Sequence, residues 1–271
     1  MATAPTHFRR TLASRLGQGA FGGLALLAAG AVLRPVEAPA WRTLASAQPV
    51  FERRSLDVAA GQGILLGLLG GFRAVGADLL WLRANAQWEA ADLAATHRTL
   101  RLVTAVDPRP LGFWVNGARM IGYDMPGWRI DAAGGCDAVP ATVQRRIDEE
   151  QSALALAHLE QALVFHPRHP LIYVEMANLH LHRRNDLGAA AAFFKLAAQQ
   201  PKAPRFAARI HAELLQRLGR DREAYAWLVA LHPTLPFDEP AARADVVLAR
   251  ICALEEKLAL PEAERYRPCS R

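Results

Sequence analysis

The sequence predicts an all-α chain, and three observations lead there. Runs of alternating apolar and polar residues suited to strands are absent, which disfavours an α/β core. Prolines placed to end helices recur at a near-constant step: Pro108, Pro167, Pro201 and Pro236 are separated by 59, 34 and 35 residues. A second set of landmarks, Trp114, Tyr173 and Ala208, is separated by 59 and 35 residues and so keeps the same register. About 34 residues make two helices and their turns. Such a pair cannot bury its apolar faces alone and needs neighbours of the same kind.

The fullest copy is PLIYVEMANLHLHRRNDLGAAAAFFKLAAQQP, residues 170–201. Tyr173, Met176, Ala177 and His180 share one helix at the spacing aromatic, apolar, small, aromatic, and Ala189, Phe193, Leu196 and Pro201 complete a second. The small Ala177 lets a partner helix approach while Tyr173 and Phe193 fill the gap beside it. This pattern resembles the tetratricopeptide repeat, in the membrane-anchored form found in bacteria. A more degenerate early copy starts at Trp81, with Ala84, Asn85 and Trp88 behind it and Leu100 and Val103 on its second helix, so the resemblance covers about residues 78–236. It implies a right-handed α-solenoid of helix pairs.

The step of 59 is one repeat plus 25, and both landmark sets slip together, which places an insertion at about residues 122–151. Its first part holds Asp124, Pro126, Gly127, Gly134 and Gly135 and is expected to be a loop carrying Tyr123, Met125 and Trp128. Pro140 suits the first turn of a new helix, and nothing from there to Phe165 interrupts helical periodicity. One long helix is therefore expected, with an aromatic loop docked near it.

The array is flanked by other elements. Residues 1–34 form a basic tail with Arg9, Arg10 and Arg15, followed by the apolar run 16–33. Eighteen residues rise about 27 Å as a helix, enough to cross a hydrocarbon core of about 30 Å. An uncleaved anchor is expected; the competing reading is a signal peptide cut after Ala40, in the small-x-small triplet Ala38-Pro39-Ala40. A proline-containing linker, 35–57, leads to a second apolar stretch at 58–72, VAAGQGILLGLLGGF. Gly63, Gly67 and Gly71 lie four apart, a spacing that lets membrane helices touch, so a hairpin of two spans is one reading. The other is that Ile64, Leu65, Leu68, Leu69, Phe72 and Val75 form the apolar face of a buried helix that starts the array. Residues 237–271 are read as a capping helix and a frayed basic tail: Asp238 caps, Pro240 begins the helix, and Val247, Ile251, Leu254 and Leu258 line its inner face. Arg243, Arg250, Glu255 and Glu256 line the outer one.

A formal net charge of +6 is spread over Arg residues interspersed with acids, and no nucleic-acid motif accompanies it, so no nucleic-acid partner is expected. Three cysteines without CxxC spacing argue against a structural zinc, and their odd number leaves one thiol unpaired. The closest histidine pairs, His166 with His169 and His180 with His182, have poor ligand spacing. No metal or small-molecule cofactor is expected, and no nucleophile has a base placed beside it.

What remains is a surface. The tetratricopeptide resemblance implies a concave groove lined by the first helix of each repeat. By that resemblance Arg119, Asn178 and Glu213 face the groove with Val174, His182 and Arg209, and take a protein or peptide ligand. Val174 stands where the carboxylate-clamp subtype has a cation. The expected function is a non-enzymatic scaffold, single-pass in the inner membrane with the array outside the cytoplasm, serving assembly or transport of an envelope complex. Should the groove not bind, Tyr123, Met125 and Trp128 of the insertion are the second candidates for the docking surface. The alternative function is a membrane-associated enzyme or enzyme subunit with a site under the 122–138 loop, using the insertion around Trp128 and Cys136 as a lid.

Overall fold

The computed structural model describes residues 73–270, so the anchor expected at 16–33, the linker and the apolar stretch at 58–72 lie outside the described residues. Every regular element among the described residues is helical. The order is α1 (Arg73–Glu89), α2 (Leu93–Val106), α3 (Leu111–Arg119), a π turn (Met120–Asp124), α4 (Met125–Ala132), α5 (Ala141–Phe165), α6 (Pro170–His182), α7 (Leu187–Ala198), α8 (Arg205–Arg217), α9 (Asp221–Leu231) and α10 (Ala244–Lys257). Short 3₁₀ turns occupy His232–Thr234, Pro240–Ala242, Glu262–Glu264 and Arg267–Ser270. No helix among the described residues is long and apolar enough to cross a membrane.

Local chemistry sets the helix ends. The carboxylates of Asp92 and Asp186 accept from the backbone N–H groups of Ala95 and Ala189, capping α2 and α7. Pro108, Pro167 and Pro201 fall two or three residues beyond the ends of α2, α5 and α7, where a missing N–H and a fixed φ stop the helix from resuming. Gly219, at φ 74°, closes α8 in the left-handed conformation that a side chain disfavours.

Each helix packs mainly on helices close to it in the chain: α1 on α2, α5 on α3, α4 and α6, α7 on α6 and α8, α9 on α8 and α10. The largest core gathers Trp114, Ile121, Met125, Leu159, Ile172 and Leu179, and a second, between α6, α7 and α8, gathers Ala177, Ala190, Phe194 and Leu214. Ala177 is fully buried, as the pattern requires. The expected register of α7 is off by one residue. Ala190, Phe194 and Ala197 form its buried stripe, while Phe193 is half-buried, stacked on His180 at 5.3 Å, and Leu196 is exposed. With two phenylalanines in a run of small residues, periodicity alone cannot say which one turns inward.

The first part of the insertion is helix rather than loop. The π turn takes up one extra residue, the helix restarts at Met125, and Pro126 sits in that first turn, where its absent N–H costs no hydrogen bond. Gly122 is required here for close approach: a Cβ at this position would lie 2.5 Å from Cδ2 of Leu179 and 3.2 Å from Cβ of Ala155. The break comes later, at Gly134 and Gly135, both with positive φ. The long helix α5 begins directly after Pro140, as expected.

The C-terminal end also departs from expectation. Asp238 caps nothing: Pro240–Ala242 is a 3₁₀ turn and α10 begins only after Arg243, at φ 53°. Val247, Ile251 and Leu254 are buried as predicted, but so is Glu255, whose carboxylate accepts from the Tyr225 hydroxyl and the Tyr266 backbone N–H. The tail is folded rather than frayed. Cys252 and Cys269 form a disulfide with Cα atoms 5.5 Å apart, and the Tyr266 hydroxyl meets Nδ1 of His232 at 3.0 Å. Cys136 is the unpaired thiol and is exposed.

His158 on α5 is buried against Gly117, where a Cβ would stand 2.9 Å from Nε2. Burial pushes its imidazole down to about 4 from an ordinary 6.5, partly offset by a hydrogen bond to the backbone of Phe113 and helped by the nearby His97.

Two predictions follow from this packing. Ala177→Leu should cost about 1 to 3 kcal/mol by overpacking, and Phe194→Ala about 3 to 5 kcal/mol through the cavity left, with Phe193→Ala well below that. Chemical denaturation of the three variants checks the order. Because folding holds His158 neutral, the unfolded chain binds an extra proton between the two pKa values. That stability is complete above about pH 6.5 and is lost as pH falls towards 4, by up to about 3 kcal/mol. Denaturation midpoints taken from pH 7 to 4.5 should fall more steeply for the wild type than for His158→Gln. His97, His180 and His211 are lowered by burial too, so the variant should keep part of the slope.

Candidate functional site

On α1, Trp81, Asn85 and Trp88 stand at i, i+4 and i+7 and therefore share a face. Opposite them are Asn116 and Arg119 of α3, Met120, and Asp124 at the end of the π turn; together these residues line an open cleft of about 370 Å³. The groups in it are held in place. The Trp88 indole N–H donates to the Asp124 carboxylate at 2.8 Å, and the Asn85 amide donates to the Trp81 carbonyl at 2.9 Å. Trp81 in turn packs on Phe113, with ring centroids 5.2 Å apart.

Arg119 is fixed by a carboxylate from another helix. Its Nε and Nη2 both donate to Oε2 of Glu175 on α6, at 3.1 and 2.9 Å, and Glu175 is only 3 % exposed. The hydrogen bond to Glu175 raises the guanidinium pKa despite partial burial. Behind this pair, burial and the Glu175 charge push the Tyr123 phenol up to about 12, partly offset by Arg183 and Arg119. The Arg183 guanidinium lies 4.9 Å from the Tyr123 ring centre and donates to the Tyr123 carbonyl at 3.1 Å. One carboxylate, one guanidinium, two amides and two indoles thus border one cleft. It offers aromatic surface and directed hydrogen-bonding groups, and nothing in it pairs a nucleophile with a base.

Of the groove residues expected from sequence, Arg119 lies in the cleft. Asn178 is half-buried, one helical turn beyond Glu175 on α6, and His182 is exposed at the end of that helix. Val174 does not face a groove: it is buried in the α6–α7–α8 core. Arg209 and Glu213 on α8 serve the contact with the C-terminal segment. Arg209 donates to the Ala242 carbonyl at 3.1 Å, and Glu213 accepts from Arg250 of α10 at 3.2 Å. The three candidates of the insertion turn inward because their segment is helical: Met125 is fully buried, and Tyr123 and Trp128 pack partly buried on the central core.

Sequence reasoning missed Asn116, Asp124 and Glu175, and read Trp81, Asn85 and Trp88 only as repeat landmarks. The spacing of the α1 trio was a signal for a shared face, whereas Glu175 sits 56 residues from Arg119 and no local pattern joins them. A larger hollow of about 530 Å³ near the C-terminal segment, lined by His232, Phe237, Arg243 and Pro268 among others, contains none of the expected groove residues. Among the described residues no group of three His, Cys, Asp or Glu side chains is placed to hold a metal ion.

Arg119 is more than a surface cation, since its removal strands a buried carboxylate. Arg119→Ala should cost about 1 to 3 kcal/mol, against about 0.5 for an ordinary surface change. Adding Glu175→Gln should recover most of the loss, and a double-mutant cycle by urea denaturation measures it.

No protein-family model matches this chain, and no curated protein matches it either.

Proposed function

We propose that this chain is a membrane-anchored scaffold of the tetratricopeptide kind, a right-handed α-solenoid that docks a segment of a partner protein in the cleft between α1 and α3. The cleft carries the reading. Trp81 and Trp88 offer flat, rigid apolar surface, and Asn85, Asn116 and Arg119 offer hydrogen-bonding groups suited to the backbone of an extended chain. Interface hot spots have this mixture of aromatic and Arg side chains. The succession of helices, each packed on the next, supports the solenoid reading, as does the register of the prolines.

The floor beneath the 122–138 segment bears on the enzyme alternative. Towards its end the buried side chains are apolar, Ile130 and Val139 packed on Ile147 with Val143 beside them, whereas at its start Glu175, Arg119 and Arg183 gather around Tyr123. Those polar groups pair with one another and set no nucleophile beside a base, which favours a structural role. The Cys252–Cys269 disulfide supports an array outside the cytoplasm, since such bonds persist in oxidising compartments. Residues 16–33 would supply the single inner-membrane span.

Capture from detergent-solubilised membranes, comparing the wild type with Asn85→Ala/Trp88→Ala, tests the cleft. At least one protein held by the wild type should be depleted about tenfold or more, as expected when an indole contact worth over 1.4 kcal/mol is lost. An unchanged set of captured proteins from a variant that melts like the wild type would exclude the cleft as the docking site. Orientation is read separately from the exposed Cys136, which a membrane-impermeant thiol reagent should label in intact spheroplasts.

A further inference from the structure

Three large apolar side chains of α1 point away from the rest of the described residues. Val75, Leu79 and Leu82 are 53 %, 62 % and 65 % exposed, among the most open large hydrophobic residues described. At 100° per residue they fall within about 60° of one another on the helix, opposite the buried Ala77 and Ala84. The exposed Asp78 borders the stripe on one side and the exposed Arg83 on the other, so the apolar strip is about one chain wide. A lipid surface would draw a broader apolar face than this.

We propose that this outer face of α1 is the docking surface for the chain's own residues 58–72. That segment, VAAGQGILLGLLGGF, has no charged residue and supplies Ile64, Leu65, Leu68 and Leu69 as partners for the stripe. It ends at Phe72, directly before the first residue of α1, so it reaches this face with no linker to order and at a high effective concentration. Gly70 and Gly71 stand at the junction, where a chain reversing onto α1 needs residues free to take positive φ. Fifteen residues span at least about 22 Å even as a helix, against about 10 Å from Val75 to Leu82. The arrangement seals the first helix of the array and fixes it close to the membrane-proximal part of the chain. It is independent of what the cleft binds.

The test replaces Leu79 with the photoreactive amino acid p-benzoylphenylalanine in the full chain, irradiates it in native membranes and maps the product by mass spectrometry. The expected product is an intramolecular cross-link to a peptide within residues 58–72, migrating as a monomer. A cross-link to a second copy, to lipid or to residues 16–33 would overturn the proposal, as would no cross-link at all. A second measurement is Leu79→Gln/Leu82→Gln in the full chain. Its Tm should fall by several degrees if the face is covered, and an unchanged Tm overturns the proposal.

Discussion

Close approach of helices at small residues is the constraint on which the central part of this protein depends. At Gly122 the π turn, α5 and α6 meet so tightly that Leu179 and Ala155 occupy the space where a side chain would begin. Gly117 does the same for His158, and Ala177, Ala190 and Ala197 do it between α6, α7 and α8. Contacts at this distance recover dispersion energy that larger side chains would forfeit by holding the backbones apart. They also fix the relative rotation of the helices, and through it which polar groups meet across them.

The cleft follows from that rotation. Glu175 is buried because α6 lies close to α3, and a buried carboxylate needs a cation with directed donors, which Arg119 supplies through two N–H groups on one oxygen. Arg119 is thereby held at the rim, where it faces Trp81, Asn85 and Trp88 across the opening. Asp124 is positioned by the π turn and held by the Trp88 indole. Side chains held this way keep little rotamer freedom, so the cleft is preorganised.

The C-terminal helices use a different device. The cluster of α8, α9 and α10 is closed by a tail that the disulfide, the buried Glu255 carboxylate and the His232–Tyr266 contact tie down together. The covalent strap and the satisfied polar groups cover apolar surface of α10 that a frayed tail would leave open.

The sequence by itself determined the helical class, the helix-ending prolines, the long helix after Pro140 and the buried Ala177, because these rest on backbone restrictions and on periodicity, which are local. It did not determine which phenylalanine of Phe193 and Phe194 turns inward, that Asp124 and Pro126 continue a helix through a π turn, or that Glu255 and the tail are buried. The cleft was legible only in part: Arg119 was marked through the repeat register, while Val174, Arg209 and Glu213 were drawn elsewhere by the core and by α10. Those outcomes belong to the tertiary structure. Each depends on what an element packs against, and a neighbour 30 or 56 residues away leaves no trace in local spacing.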